Sequence, residues 1–396
     1  MIDKSLSKNL ETVRGLAAFI VLLAHTSQWF ITPLVGIDHS GIFIIRHLAH
    51  FSVLIFFALS GYVITNSLVL NKERNGHIDS FSYIKSRIVR IIPPGVAACL
   101  FALGVAVIII VLDLHGSEAF RTDYDLYVAR EQITLRWQNV VASFLLSNGV
   151  VPGTAPIITN GPLWSLSIEF WIYFVALLGA IALSGMLSSD SIQRNSGLVA
   201  AMAIIMLLGF TIGRPFDLMQ YVFYWLLGSL LFASTKLPSL VRYLFLSVFL
   251  CGILALLIFA LKPTSWSMDL ITGRGLPGLA GIAVKGSILI ALASLMPFIS
   301  LLPCRRFFAS LAPSSYTLYV FHFPILCLLF SLFHLSYLGW SIPLKVIFLI
   351  VVIIATLISC HILAKFLEDR KRWSKCFNWV GDQITKRATR FKGIYK

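Results

Sequence analysis

Histidine is the side chain best suited to moving a proton at neutral pH, and the stretch "ETVRGLAAFIVLLAH" ends on one, His25. Between Arg14 and His25 every residue is small or apolar. An α-helix rises about 1.5 Å and turns about 100° per residue. The eleven steps from Arg14 to His25 therefore cover roughly 16 Å and return to within about 20° of the same face. One stripe carries a permanent cation near its start and an imidazole about halfway down. Neutral imidazole accepts protons, whereas arginine supplies charge but cannot act as a base. Proton transfer beside a fixed cation is the chemistry this pair offers. A buried histidine that simply donates to a neighbouring carbonyl is the plainer reading, and the shared face speaks against it.

Four further stretches carry side chains of the same kind. In "KSRIVRIIPPG", Arg87 and Arg90 are three apart and so neighbours on one helix face. Guanidinium groups make planar, bidentate contacts with phosphate; anchoring a helix end at the membrane surface explains the pair equally well. "NGPLWSLSIEFWIYF" sets Pro162 where a first helical turn tolerates it, then Ser165, Glu169 and Tyr173 at spacings of four. Glu169 in such a run either pairs with a buried arginine or histidine or accepts a proton, and pairing is the favoured role. "SSYTLYVFHFPI" repeats Tyr316, Tyr319 and His322 every three residues. That stripe is either a polar interior wall or aromatic packing. In "FFALSGYVIT", Ser60 and Gly61 permit close helix approach.

The elements that must hold these residues are helices in lipid. Of 396 residues 58% are hydrophobic and 12% charged, where a soluble domain of this size would carry about 25% charge. Mean hydropathy is +0.87, and apolar runs long enough to cross a bilayer recur. The spacing predicts an all-α, polytopic membrane protein with about ten spans. They lie near 13–33, 42–70, 90–112, 163–185, 197–213, 217–233, 242–261, 279–302, 314–335 and 342–366. A short helix near 138–150 is a further candidate; were it to cross fully, every later span would invert.

The net charge of +15 could suggest nucleic acid. Here, however, the cations gather at the ends of apolar segments and in the tail, where anionic lipid and the orientation rule account for them. Alternate connections are basic, holding Lys72, Arg74, Lys85, Arg87 and Arg90, then Arg194, Lys236 with Arg242, and Arg305 with Arg306. The intervening ones are mixed or uncharged. Both termini are therefore expected in the cytoplasm, with residues 1–370 forming one membrane domain and 371–396 a basic cytoplasmic tail. The polar start reads as a retained first helix. Six scattered cysteines, without zinc-like spacing, read as packing residues, so no metal site is expected.

Taken in order, Arg14 and His25 with ten residues between them, then "FFALSGY", "RIVRIIP", "WSLSIEF" and "SYTLYVFHFP", resemble the membrane acyltransferase-3 family. Its members include bacterial O-acetyltransferases that modify lipopolysaccharide O-antigen, exopolysaccharide and nodulation-factor sugars. The resemblance runs from Arg14 to Pro324 and implies about ten spans in a bacterial inner membrane. It implies acetyl-CoA as a cytoplasmic donor and a periplasm-facing glycan, such as O-antigen, exopolysaccharide or a lipid-linked oligosaccharide, as acceptor. Carried over by motif, His25 looks like the catalytic residue with Arg14 its partner, and Arg87 and Arg90 look like donor-binding residues. Ser165, Glu169, Tyr316, Tyr319 and His322 would complete a supporting polar site. Acyl-CoA, the glycan and membrane lipids are the implied partners; nucleic acid is not. Acyl transfer needs a base for the acceptor hydroxyl and positive charge or hydrogen-bond donors at the thioester oxygen. A membrane transporter or flippase for a glycan or lipid-linked sugar is the alternative. Paired Gly/Pro-broken helices in corresponding halves, a frequent transporter feature, are not found in the sequence.

Overall fold

The computed structural model describes residues 4–36, 39–115, 135–211, 218–234, 282, 285–290, 292–293 and 296–379. Every regular element among them is helical. In chain order these are α1 (Lys4–Phe30), α2 (Thr32–Val35), α3 (Ser40–Asn75), α4 (Ser80–Val111), α5 (Trp137–Phe144), α6 (Leu163–Met186), α7 (Ser191–Thr211), α8 (Leu218–Ser234), α9 (Arg305–Leu311), α10 (Ser315–Gly339) and α11 (Ile342–Leu367).

Six helical segments among the described residues are long and apolar enough to cross a membrane: Leu6–Phe30, Ser40–Asn75, Ser80–Val111, Leu163–Met186, Arg305–Gly339 and Ile342–Trp379. Each contains or largely overlaps a span read from the sequence. The expected spans at 197–213 and 217–233 correspond to shorter apolar helices, Ser191–Leu207 and Leu218–Leu231. The expected span at 242–261 lies outside the described residues, as do eight of the 24 residues of that at 279–302. Near 138–150 the chain forms only the eight-residue α5, about 12 Å long and far short of the roughly 30 Å needed to cross.

The helices outrun the lipid-length segments. α3, at 36 residues, is about 54 Å long, well beyond the hydrocarbon core. α4 starts ten residues before its apolar run, because the Asp79 side chain accepts from Ser82 N at 3.0 Å and caps the first turn. It also continues through Pro93 and Pro94. Those rings remove the donors that Val89 and Arg90 carbonyls would use. Just beyond them, the Tyr316 hydroxyl donates to the Ile91 carbonyl at 3.2 Å.

α1 runs at the centre, against α3, α9 and α10; α3 packs on α8, α6 on α7, and α10 on α4 and α11. Two of these contacts bring backbones together. A Cβ at Gly61 would overlap the carbonyl of Trp225, and one at Gly228 would overlap that of Ala58. The close approach read at Gly61 is thus the α3–α8 contact. Residues 135–162 fold inward: Thr159 Oγ1 donates to Ala102 O at 2.7 Å and Asn160 Nδ2 to Val320 O at 2.9 Å, pinning the entry to α6 between α4 and α10. Of the described cysteines, Cys99, Cys327 and Cys360 are buried as expected, but Cys304 and Cys376 are exposed and do not pack; Cys251 lies outside the described residues. Residues 370–379 form a further helix on the start of α4, where Lys85 Nζ donates to Asn378 Oδ1.

Candidate active site

One helical turn separates Arg87 from Arg90, and their surroundings differ. The Arg87 guanidinium donates to Ser67 Oγ at 2.9 Å and lies over the rings of Tyr83 (5.2 Å) and Tyr173 (5.7 Å). Arg90 instead lines a cavity of about 110 Å³. The charge of Arg370, just after α11, acts on both.

Arg14 lines the same cavity, reached from α1, together with Ser165 and Glu169 of α6 and Tyr316 and Tyr319 of α10. Six of the nine site residues expected from the sequence thus meet there, and Tyr173 lines the same cavity. The Tyr173 hydroxyl donates to Glu169 Oε1 at 2.5 Å, as their spacing of four allows. Glu169's charge acts on both Arg14 and Arg90, and so does that of Glu368. Glu368 Oε1 accepts from Thr317 N at 2.9 Å and Thr317 Oγ1 at 2.8 Å, which ties the end of α11 to the start of α10. The two carboxylates thus offset part of the repulsion between the two guanidiniums, which a buried charge requires. Apolar walls come from Val53, Phe56 and Phe57 of α3. The volume falls below the roughly 150 Å³ that holds one benzene in an engineered protein cavity. It suits a short acyl group or a thin arm and is too small to take in a whole nucleotide.

Tyr319 is the wall between this cavity and a pair of imidazoles. Ser165 Oγ donates to Pro162 O at 3.0 Å, so at the 2.5 Å contact with Ser165 the Tyr319 hydroxyl is the donor. The Tyr319 ring centroid is 6.1 Å from that of His322, which in turn is 5.1 Å from that of His25. His322 Nδ1 donates to the Leu318 carbonyl at 2.8 Å, so its Nε2 keeps the lone pair, buried without a hydrogen-bond partner. His25 Nδ1 contacts Gln28 Oε1 at 2.9 Å. With that oxygen as acceptor, the proton sits on Nδ1 and the lone pair on Nε2. Phe323 stands edge-on to His25 at 5.1 Å. His25 and His322 are not among the residues lining the cavity; they lie one side chain beyond it.

Sequence reasoning missed four contributors. Gln28, three residues after His25, was visible in principle as a face neighbour. Ser60 lines the cavity and its hydroxyl is buried without a hydrogen-bond partner; the sequence gave it only a packing role. Glu368 and Arg370 sit in "EDRKR", which reads as a solvated charge run, and no local signal marks them.

A family model described as an acyltransferase domain matches residues 7–364. No curated protein and no solved structure matches the chain.

Proposed function

The chain belongs to the acyltransferase-3 family, and from that premise, with its apolar helices making it a multi-pass membrane protein, we propose that it is an O-acyltransferase of a bacterial inner membrane. It moves an acetyl or other short acyl group from cytoplasmic acyl-CoA to a hydroxyl of a cell-surface sugar. The observation that carries this is the gathering of Arg90, Arg14, Ser165 and Tyr319 around one cavity, with His322 and His25 directly behind the Tyr319 ring.

On this reading the end bearing Arg87, Arg90 and Arg370 faces the cytoplasm and holds the donor's phosphates, for which guanidinium forks are suited. The nucleotide is too large for the cavity, so it stays at this rim while the thin pantetheine arm enters past Arg90 and Arg14. Arg14 lies roughly 16 Å from His25 along α1, a distance that an extended arm spans. Glu169 and Glu368 keep the two arginines from being an unbalanced buried charge. They are assigned a structural role.

The acceptor hydroxyl arrives from the opposite side and attacks the thioester carbon. Its proton passes to His25 Nε2, the new C–O bond forms, and the C–S bond then breaks. The imidazolium returns the proton to the departing thiolate, so no proton is gained or lost overall. Gln28 fixes the tautomer that makes Nε2 the base, and the buried lone pair of His322 lies beside the imidazolium as it forms. Such a base contributes typically 10²–10⁴-fold.

Mass spectrometry of the surface polysaccharide from cells with and without the gene tests the reading. One acyl unit is expected on a defined sugar only when the gene is present. Identical spectra in both would overturn it.

A further inference from the structure

The mechanism above makes no use of Ser60, although this residue lines the cavity. Serine and threonine on a helix in lipid ordinarily satisfy their hydroxyls, most simply by donating to the carbonyl four residues back. Four such residues follow Ser40 on α3. Ser52 Oγ donates to Leu48 O at 2.9 Å, Thr65 Oγ1 donates to Ser229 Oγ at 2.8 Å, and Ser67 Oγ accepts from Arg87. Ser60 is the exception: its hydroxyl is buried and has no hydrogen-bond partner among the described residues. An unpaired buried hydroxyl costs free energy, and alanine would pack there without that cost. A polar group from outside the chain would satisfy it.

The wall around Ser60 restricts what that group can be. Every other cavity residue of α3 is apolar: Val53, Phe56, Phe57, Leu59, Val63 and Ile64. A phosphate calls for guanidinium forks, which this wall lacks. The chemistry that suits it is a neutral polar group carried on methylenes.

Position narrows the choice further. Phe56, Ser60, Val63 and Ser67 follow at i, i+4, i+7 and i+11, one stripe of α3. Both ends of the stripe have identified neighbours. Phe56 stands edge-on to Tyr319 at 5.6 Å, and Ser67 meets Arg87. Ser60 lies about 6 Å from the level of Phe56 and about 10 Å from that of Ser67. It therefore stands between the arginine rim and the Tyr319 wall. The neighbouring Gly61 lies against the Trp225 backbone, which holds α3 to α8 at this height.

We propose that Ser60 is a donor-binding residue, its hydroxyl donating to the carbonyl of the pantetheine amide nearest the sulfur. This rests on the acyltransferase reading and adds a contact midway along the arm. Five bonds join that amide carbon to the thioester carbon, roughly 6 Å when extended. With the amide held at Ser60, the thioester reaches the level of Phe56 and Tyr319, next to the two imidazoles. The methylenes between take the apolar wall.

Calorimetric titration of the full chain in detergent micelles tests this with three ligands. They are acetyl-CoA, CoA, and the phosphorylated adenosine diphosphate head that lacks the arm. Ser60→Ala is expected to bind acetyl-CoA and CoA about fivefold or more weakly than the parent, the worth of one buried hydrogen bond. Its affinity for the head alone should match the parent's. Its melting temperature should not fall, because the hydroxyl bonds nothing in the protein. Parental affinity for both acetyl-CoA and CoA would overturn the proposal and leave the hydroxyl to cavity water. A loss confined to acetyl-CoA would overturn it in favour of a contact with the acyl oxygen. An equal loss for the head alone, or a lowered melting temperature, would overturn it in favour of a structural role. A parent that binds none of the three would sink the acyltransferase reading and this contact together, whereas a parent that binds them and is matched by Ser60→Ala sinks the contact alone.

Discussion

Arg87 and Arg90 look interchangeable as letters, yet one is engaged by Ser67 and two tyrosine faces while the other opens onto the cavity. Arg90→Ala is therefore expected to weaken acetyl-CoA binding by roughly 10–100-fold, the worth of a charge-assisted contact. It should also lower the melting temperature, because it leaves Glu169 and Glu368 with one fewer counter-charge. Arg87→Ala should lower both, since it also removes packing between α4 and α6. Arg90→Lys should recover only part of the affinity, because a point charge replaces a fork. Calorimetric titration and thermal melting on the same preparations check this; unchanged affinity in both alanine variants would leave the pair as surface anchors. The register of Arg14 with His25 was legible because helix geometry alone fixes it, and so were Ser165 and Glu169 on their shared face. Glu368 was not legible. Its inward turn depends on Thr317, 51 residues away, and no local pattern carries that contact.

Helices were easier to read than their ends. Hydropathy finds the lipid-length core of α3 and α4, while the polar turns beyond it depend on caps such as Asp79 and on neighbours that extend past the bilayer. Pro93 and Pro94 would ordinarily signal a stop, but α4 runs through them, with Tyr316 of α10 bonding the adjacent Ile91 carbonyl. The contact of α3 with α8 was legible at Gly61 as a small residue, though its partner was not. Here a side chain has no room, since the obstacle is the backbone of Trp225. Gly61→Val is expected to cost about 1–3 kcal/mol, as overpacking does, and to lower the melting temperature in detergent. A variant that melts with the parent would mean that α3 and α8 separate at little cost.

Across the whole molecule, the guanidiniums of Arg87, Arg90 and Arg370 gather at one end, and His25 lies away from them along α1. α1 carries Arg14 beside the cavity and His25 among the aromatic side chains of α10. On the proposed reading, one helix spans the distance between the donor's anionic head and the acceptor's hydroxyl. That division explains why composition, which gives only a net charge of +15, could not separate the two roles. The account stands on His25 as the base that serves both sides. Its most direct test is transfer from labelled acetyl-CoA to isolated lipid-linked or surface glycan by the purified, folded parent and by His25→Ala. The variant is expected to bind acetyl-CoA as the parent does and to lose transfer by at least about 10²-fold, the low end for a missing general base. Transfer by His25→Ala at near the parental rate would contradict the account and leave His25 as a satisfied half-buried imidazole.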